Sequence, residues 1–138
     1  MVRLSKEEAR ALGLAPKASK YNNEKPTYYD PDLKQKLTFD SKKEYEFYLL
    51  LKDKLKRGEI KDLQRQVKFE IQPAFTDSLG NSYEAITYKA DFVYLEKAPA
   101  DSSLKWVNKV VDVKGFKTDV YKLKKKLLAY KGIYIEEV

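Results

Sequence analysis

The residues with the clearest capacity for chemistry are Asp112 and Lys114, two positions apart at the end of the apolar run Val110-Val111, and Asp91 within Tyr88-Lys89-Ala90-Asp91-Phe92. Side chains alternate along a strand, so Asp112 and Lys114 should project from one face while Val111 and Val113 project from the other. A carboxylate and an ammonium side by side at a strand end, near a second strand that carries a carboxylate, can hold a hard divalent cation and a water. Mg²⁺ takes oxygen ligands and commonly uses only one or two protein carboxylates. Asp91 and Asp112 would supply those, and the backbone carbonyl of Val113 a third oxygen; Mn²⁺ would be accepted by the same donors. Lys114 could orient or deprotonate an attacking water, or neutralise charge on a scissile phosphate. Metal-activated water makes phosphodiester hydrolysis feasible without histidine. An acid and a lysine at a strand end also arise simply as a solvated salt bridge.

Composition narrows the chemistry further. The chain has no cysteine and no histidine, which excludes disulfides, thiolate or imidazole zinc sites, and Ser-His-Asp or cysteine nucleophiles within these 138 residues. Carboxylate, lysine, tyrosine and an oxygen-loving metal remain. A formal charge of +7 and a pI near 9.3 favour a polyanionic partner or an anionic surface, and charge alone does not choose between them. No stretch approaches the roughly 18 apolar residues of a membrane span, and no signal-peptide core opens the chain, so an intracellular protein without membrane contact is expected.

The elements that must position these groups can be placed in order. Residues 1–36 read as a short helix, capped by Ser5 with Glu8 in capping-box spacing, followed by a basic arm with Pro26 and Pro31. Tyr28 and Tyr29 lie among lysines in that arm, where rings could stack on bases while ammonium groups meet phosphate; the other reading is an arm laid over its own domain. A helix is expected from about Ser41 to Arg57, with Phe47, Tyr48, Leu51 and Leu55 as its apolar stripe and Gly58 as its stop. Glu44 falls on that stripe. It is either a functional carboxylate or the partner of Ser41 in a capping box. Strands follow at Gln66–Ala74, about Glu84–Glu96 and Trp106–Lys114, with turn material at 77–81. The last two form a hairpin, which makes Asp91 and Asp112 neighbours. A second helix over Thr118–Tyr130 is expected to bury Val120, Leu123, Leu127 and Tyr130 and to expose Lys122, Lys124, Lys125 and Lys126. A short strand, Ile133–Ile135, ends the chain. The class is α/β, with a mixed sheet flanked by helices.

Asp91 … Asp112-Val113-Lys114, preceded by the helical Glu44, resembles the PD-(D/E)xK nuclease superfamily, whose restriction-endonuclease-like αβββαβ core has the order just read. More narrowly, Phe39-Asp40-Ser41-Lys42-Lys43-Glu44, Ala90-Asp91-Phe92, Asp112-Val113-Lys114-Gly115 and Thr118-Asp119-Val120-Tyr121-Lys122-Leu123-Lys124 resemble a family of small phage and prophage proteins of unknown function grouped with Holliday-junction-resolvase-like endonucleases. The resemblance covers about residues 37–138 and, loosely, the leading helix. It implies Asp91 and Asp112 as metal ligands, Lys114 as the catalytic lysine and Glu44 as the helix acid; chemically, Glu44 could complete the metal shell or hold a metal-bound water. Asp91 follows Ala90 where the superfamily has proline, and Asp112 stands where glutamate is more usual.

The function implied is a phage-type, Mg²⁺-dependent DNA endonuclease acting in a bacterial cell on branched or junction DNA, as a homodimer because junction resolution needs two paired cuts. Candidate nucleic-acid contacts are Lys89, Lys117 and the lysines at 122, 124, 125 and 126. Gln66, Tyr28 and Tyr29 join them. The alternatives are a non-catalytic nucleic-acid-binding module on the same fold, and a phage protein that binds a host protein.

Overall fold

The computed structural model describes residues 25–138. The helix expected over residues 1 to about 15 and the first part of the arm lie outside the described residues. The chain divides into two compact units, Met1–Tyr45 and Glu46–Val138.

In the first unit the arm is not simply extended. β1 (Thr27–Asp30) and β2 (Gln35–Thr38) pair as an antiparallel hairpin, Thr27 opposite Thr38. Asp30 makes the reversal possible: its buried Oδ1 accepts the N–H groups of Asp32 at 2.8 Å and Leu33 at 3.1 Å. Asx turns of this kind are the reason aspartate favours reversals, a signal hidden here between the two prolines. Phe39 closes the hairpin by donating its N–H to the Pro26 carbonyl at 2.9 Å. Helix α1 (Lys42–Lys56) then starts on Ser41, whose Oγ accepts the Glu44 N–H at 3.1 Å. The Glu44 carboxylate reaches back to the Asp40 N–H at 3.2 Å.

In the second unit, α1 buries Tyr48 and Leu51, as its stripe predicts, and ends at Gly58, whose φ of 73° suits a residue without Cβ. Four strands form one sheet in the order β3-β6-β7-β8. β3 (Ile60–Gln72) begins well before the expected Gln66, because Ile60 is buried and pairs with Glu96. A small hairpin of β4 (Phe75–Thr76) and β5 (Ser82–Tyr83) frames the expected turn. β6 (Ile86–Lys97) runs antiparallel to both β3 and β7 (Trp106–Asp112). Helix α2 (Asp119–Tyr130) supplies the crossover that a parallel partner requires, and β8 (Ile135–Glu137) lies parallel to β7, two residues later than expected. The fold is α/β, with a mixed sheet and two helices among the described residues. None of those helices is long and apolar enough to cross a membrane.

Phe92 packs against Phe47 and Tyr48 of α1, with ring centroids at 5.5 Å and 6.2 Å. Ile71, Tyr88, Ala90, Val110, Tyr121, Leu128 and Ile135 form the cluster that includes α2. Here one expectation fails. α2 buries Tyr121 and Leu128, while Val120, Leu123, Leu127 and Tyr130 are exposed. Successive helical residues are rotated by roughly 100°, so seating Tyr121 on the sheet turns Val120 and its stripe away from it. Lys124 and Lys125 are accordingly half-buried rather than solvated.

Phe92→Ala removes a fully buried ring that joins α1 to the sheet. A loss of about 3–5 kcal/mol is expected in urea denaturation, with little change in the slope.

Candidate functional site

The site lies where β6 and β7 separate. Their ladder runs from Lys97 opposite Trp106 to Phe92 opposite Val111, so the next step along each strand is Asp91 on β6 and Asp112 on β7. Asp91 Oδ2 accepts the N–H of Val113 at 2.9 Å, which brings its carboxylate beside Asp112. Its Oδ1 accepts from Gln66 Nε2 at 3.3 Å. Gln66 sits on β3 between the pairs Arg65–Phe92 and Val67–Ala90, with a φ of 52°. Left-handed backbone is unfavourable for a residue with a Cβ, and such strain persists only where surrounding contacts enforce it.

Asp112 is buried, with its Oδ2 serving two donors. The Tyr88 hydroxyl donates to it from β6. Lys114 Nζ stands 2.9 Å from the same oxygen and 4.3 Å from the centre of the Tyr121 ring. The common face expected for Asp112 and Lys114 is therefore realised, although regular β7 ends at Asp112. Beyond it, the chain continues alongside β8: Val138 N–H donates to the Asp112 carbonyl at 3.0 Å and Lys114 N–H to the Val138 carbonyl at 3.2 Å.

Glu137, opposite Asp112 in the parallel β7–β8 ladder, extends this layer. It pairs with Lys125 and, at 3.0 Å, with Lys117. Those hydrogen bonds hold its carboxyl below the usual range, Lys125 first and Lys117 second. Burial raises the Tyr88 hydroxyl far above its ordinary value, reinforced by the hydrogen bond to Asp112. Burial likewise raises Tyr121, with Glu137 adding to it. Tyr94 is pushed up to about 12 by burial, then by Glu96 and Glu136.

The structure thus brings together Asp91, Asp112, Val113, Lys114 and Gln66 of the expected set. Lys117 and Lys125 adjoin them but are engaged by Glu137. Lys122 and Lys126 are exposed on α2, and Lys89 is exposed on β6 opposite Lys68. In the other unit, Tyr28 packs on Tyr45 with centroids 5.9 Å apart, Tyr29 is exposed, and Glu44 is buried in its cap.

Three participants were not anticipated: Tyr88, Tyr121 and Glu137. The strand pattern marks Tyr88 as inward-facing, and a buried tyrosine hydroxyl normally finds a partner. That rule could have joined it to the nearest inward carboxylate. Glu137 carried no local signal, since its role depends on the parallel register.

Both side-chain donors to Asp112 fall on Oδ2, and Asp91 and Asp112 offer carboxylate oxygens, the donor type a hard cation takes. Among the described residues no group of three or more Asp or Glu side chains is placed to hold a metal ion.

The raised tyrosines give a signed pH dependence. Unfolded tyrosines ionise near pH 10, whereas Tyr88, Tyr94 and Tyr121 keep their protons beyond it. Above about pH 10 the unfolded state binds fewer protons, so stability falls as pH rises; below about pH 9 this contribution is constant. Urea midpoints from pH 8 to 11 should decline beyond 10, and less steeply in Tyr88→Phe. At neutral pH that variant should lose about 1–3 kcal/mol, because Asp112 loses a buried donor.

No curated protein and no solved structure matches the chain. A family model does match it over residues 18–137, nearly the whole length in which the site is assembled, and its description is "Protein of unknown function (DUF1064)". The chain belongs to that family.

Proposed function

We propose that this protein is a Mg²⁺-dependent DNA endonuclease that hydrolyses phosphodiester bonds, with a PD-(D/E)xK-type centre. The observation that carries the reading is the meeting of Asp91, Asp112 and Lys114, with the Asp91 carboxylate drawn onto the Val113 N–H and Lys114 drawn onto Asp112. The element order around it supports the reading: α1, the three antiparallel strands β3, β6 and β7, then α2 and the parallel β8.

Asp91, Asp112 and the Val113 carbonyl would hold the cation, which when bound supplies an acidified water and positive charge against the phosphate. The chain's own residues do the positioning. Tyr88 occupies one side of Asp112, so the carboxylate keeps one orientation. Lys114, held between Asp112 and the Tyr121 ring, presents its ammonium where it can orient water or offset charge on a phosphate oxygen. Gln66 fixes Asp91 from the neighbouring strand. Glu44 has its cap to serve, and the reading does not depend on it.

Lys68 and Lys89 stand directly opposite each other, both exposed. Like charges across a ladder repel, and a phosphate between them would relieve this. With the net charge of +7, they favour a nucleic-acid substrate. Branched DNA in a bacterial host, cut by a homodimer, is the substrate class we assign by analogy of fold. A second reading, a non-catalytic nucleic-acid-binding module, is favoured by one observation: Tyr88 and Lys114 already satisfy Asp112 as a structural ion pair would.

The test is cleavage of a labelled four-way junction and its linear arms in Mg²⁺, Mn²⁺ or EDTA, with Asp112→Asn and Lys114→Ala alongside. Metal-dependent cutting reduced by roughly 10²–10⁴-fold in both variants is expected, with thermal unfolding confirming that both fold. Salt-sensitive DNA binding unchanged in the variants, with no cutting by any protein, would establish the binding module instead.

A further inference from the structure

The end of β7 opposite Asp112 borders a second concave surface. There residues 98–105 join β6 to β7, and Lys97 stands opposite Trp106 in the last pair of their ladder. Three hydrogen bonds hold that connection around a cleft of about 410 Å³. Ala98 N–H donates to the Lys105 carbonyl at 3.0 Å, Ser102 N–H to the Pro99 carbonyl at 2.9 Å, and Leu104 N–H to the Ser102 hydroxyl at 3.1 Å. Pro99, Leu104 and Trp106 give the cleft apolar walls, and Lys97, Ser102 and Lys105 are its polar members. A mostly apolar concavity with a few polar groups, of roughly 300–1,000 Å³, is the usual form of a small-ligand site.

Cations gather around the tryptophan. Lys61 Nζ lies over the Trp106 ring, 4.4 Å from its centre. Lys61, Lys97 and Lys105 are all exposed, and among the described residues no ion pair holds any of them. The acids nearest in sequence are committed elsewhere or stand apart. Glu96 pairs with Lys54 and Lys109, and Glu59 with Arg57, while Asp62 and Asp101 are exposed and hold none of the three lysines. A ligand that carries both negative charge and a flat ring answers this surroundings on both counts.

We infer that this cleft takes an unpaired nucleotide of single-stranded DNA, with its base against Trp106 and Leu104 and the flanking phosphates on Lys97, Lys105 and Lys61. A duplex keeps its bases stacked on one another and would offer the cleft phosphate alone. An unpaired base has a free face, and its stacking on an aromatic ring tolerates any sequence. The seven residues of β7 span ~20 Å at roughly 3.3 Å each. At the roughly 3.4 Å spacing of nucleotides along one strand of a duplex, an unpaired arm starting near Asp112 reaches the cleft within about six nucleotides. The inference rests on the nucleic-acid part of the proposed function and not on its metal centre.

Trp106 is the chain's only tryptophan, so its fluorescence reports on this cleft. In EDTA, oligothymidylate of ~12 nucleotides should quench it saturably, and a duplex of equal length should not. Anisotropy of the same oligonucleotide carrying fluorescein gives the affinity independently. Lys97→Gln and Lys105→Gln should each weaken that affinity and lower its salt slope by about 0.7, with thermal unfolding unchanged because both side chains are exposed. Trp106→Ala should weaken it roughly 5- to 100-fold, as the loss of one stacked base does. Absence of oligothymidylate binding overturns the inference. So does binding seen by anisotropy with no quench, or an equal quench by the duplex. An emission shift on phosphatidylserine vesicles but not on the oligonucleotide also overturns it, in favour of a lipid surface. Junction cleavage by a protein whose tryptophan stays silent keeps the nuclease and removes the cleft. Quenching in a protein that cuts no DNA upholds the cleft and counts against the nuclease alone.

Discussion

The arrangement depends on one buried carboxylate. Asp112 is almost fully withdrawn from water at the end of β7, where an ionised group costs several kcal/mol unless hydrogen-bonded. Two donors converge on a single oxygen: the Tyr88 hydroxyl from the neighbouring strand and the Lys114 ammonium from its own chain two residues on. Each constrains something larger. Tyr88 belongs to the cluster that seats α2, so its hydroxyl ties the polar site to the apolar core. Lys114 rests over Tyr121, the first buried residue of α2. Removing the carboxylate would leave a buried hydroxyl and a half-buried ammonium facing each other across an apolar layer.

This dual dependence explains why the geometry supports catalysis and plain structure at once. A buried ion pair needs charge, donors and exclusion of water; a metal-assisted phosphodiesterase needs the same, plus unshared oxygen lone pairs and a way in for phosphate. Under the proposed reading, two features that stability alone would not select acquire a role. Gln66 keeps a left-handed backbone at the point where its amide meets Asp91, although roughly 1–3 kcal/mol is the usual cost of such a conformation. Lys68 faces Lys89 where an acidic residue would have stabilised the ladder. Both sit on the β3–β6 pair, one beside Asp91 and the other two residues before it on β6.

The sequence made the local geometry legible and left the tertiary choices open. Alternation along β6 and β7, with a hairpin between them, was enough to bring Asp91 opposite Asp112, because an antiparallel register follows from the pattern and the connection. The stripe of α1 was read correctly, since Tyr48 and Leu51 have one apolar surface to meet. The facing of α2 was not. Its apolar residues cover a wide arc, and periodicity says which residues are apolar without saying which part of the arc the sheet takes. Tyr121 and Leu128 take the apolar cluster, and two polar contacts accompany that choice: Lys125 to Glu137 and Lys114 over Tyr121. Both depend on β8 lying parallel to β7 with Glu137 beside Asp112, a register that no local pattern in Ile133–Glu137 announces. The hairpin at 27–38 was missed for a related reason, because one buried aspartate carries its turn.

The two faces of α2 connect these observations. Its first buried turn, with Tyr121 and then Lys125, borders the site, while the stripe from Val120 to Tyr130 runs along the side turned away from the core. A single helix therefore answers both demands: Tyr121 supports Lys114 and Lys125 pairs with Glu137 on the side of the site, and the residues that the seating of Tyr121 and Leu128 turns outward are the apolar ones that periodicity alone would have buried.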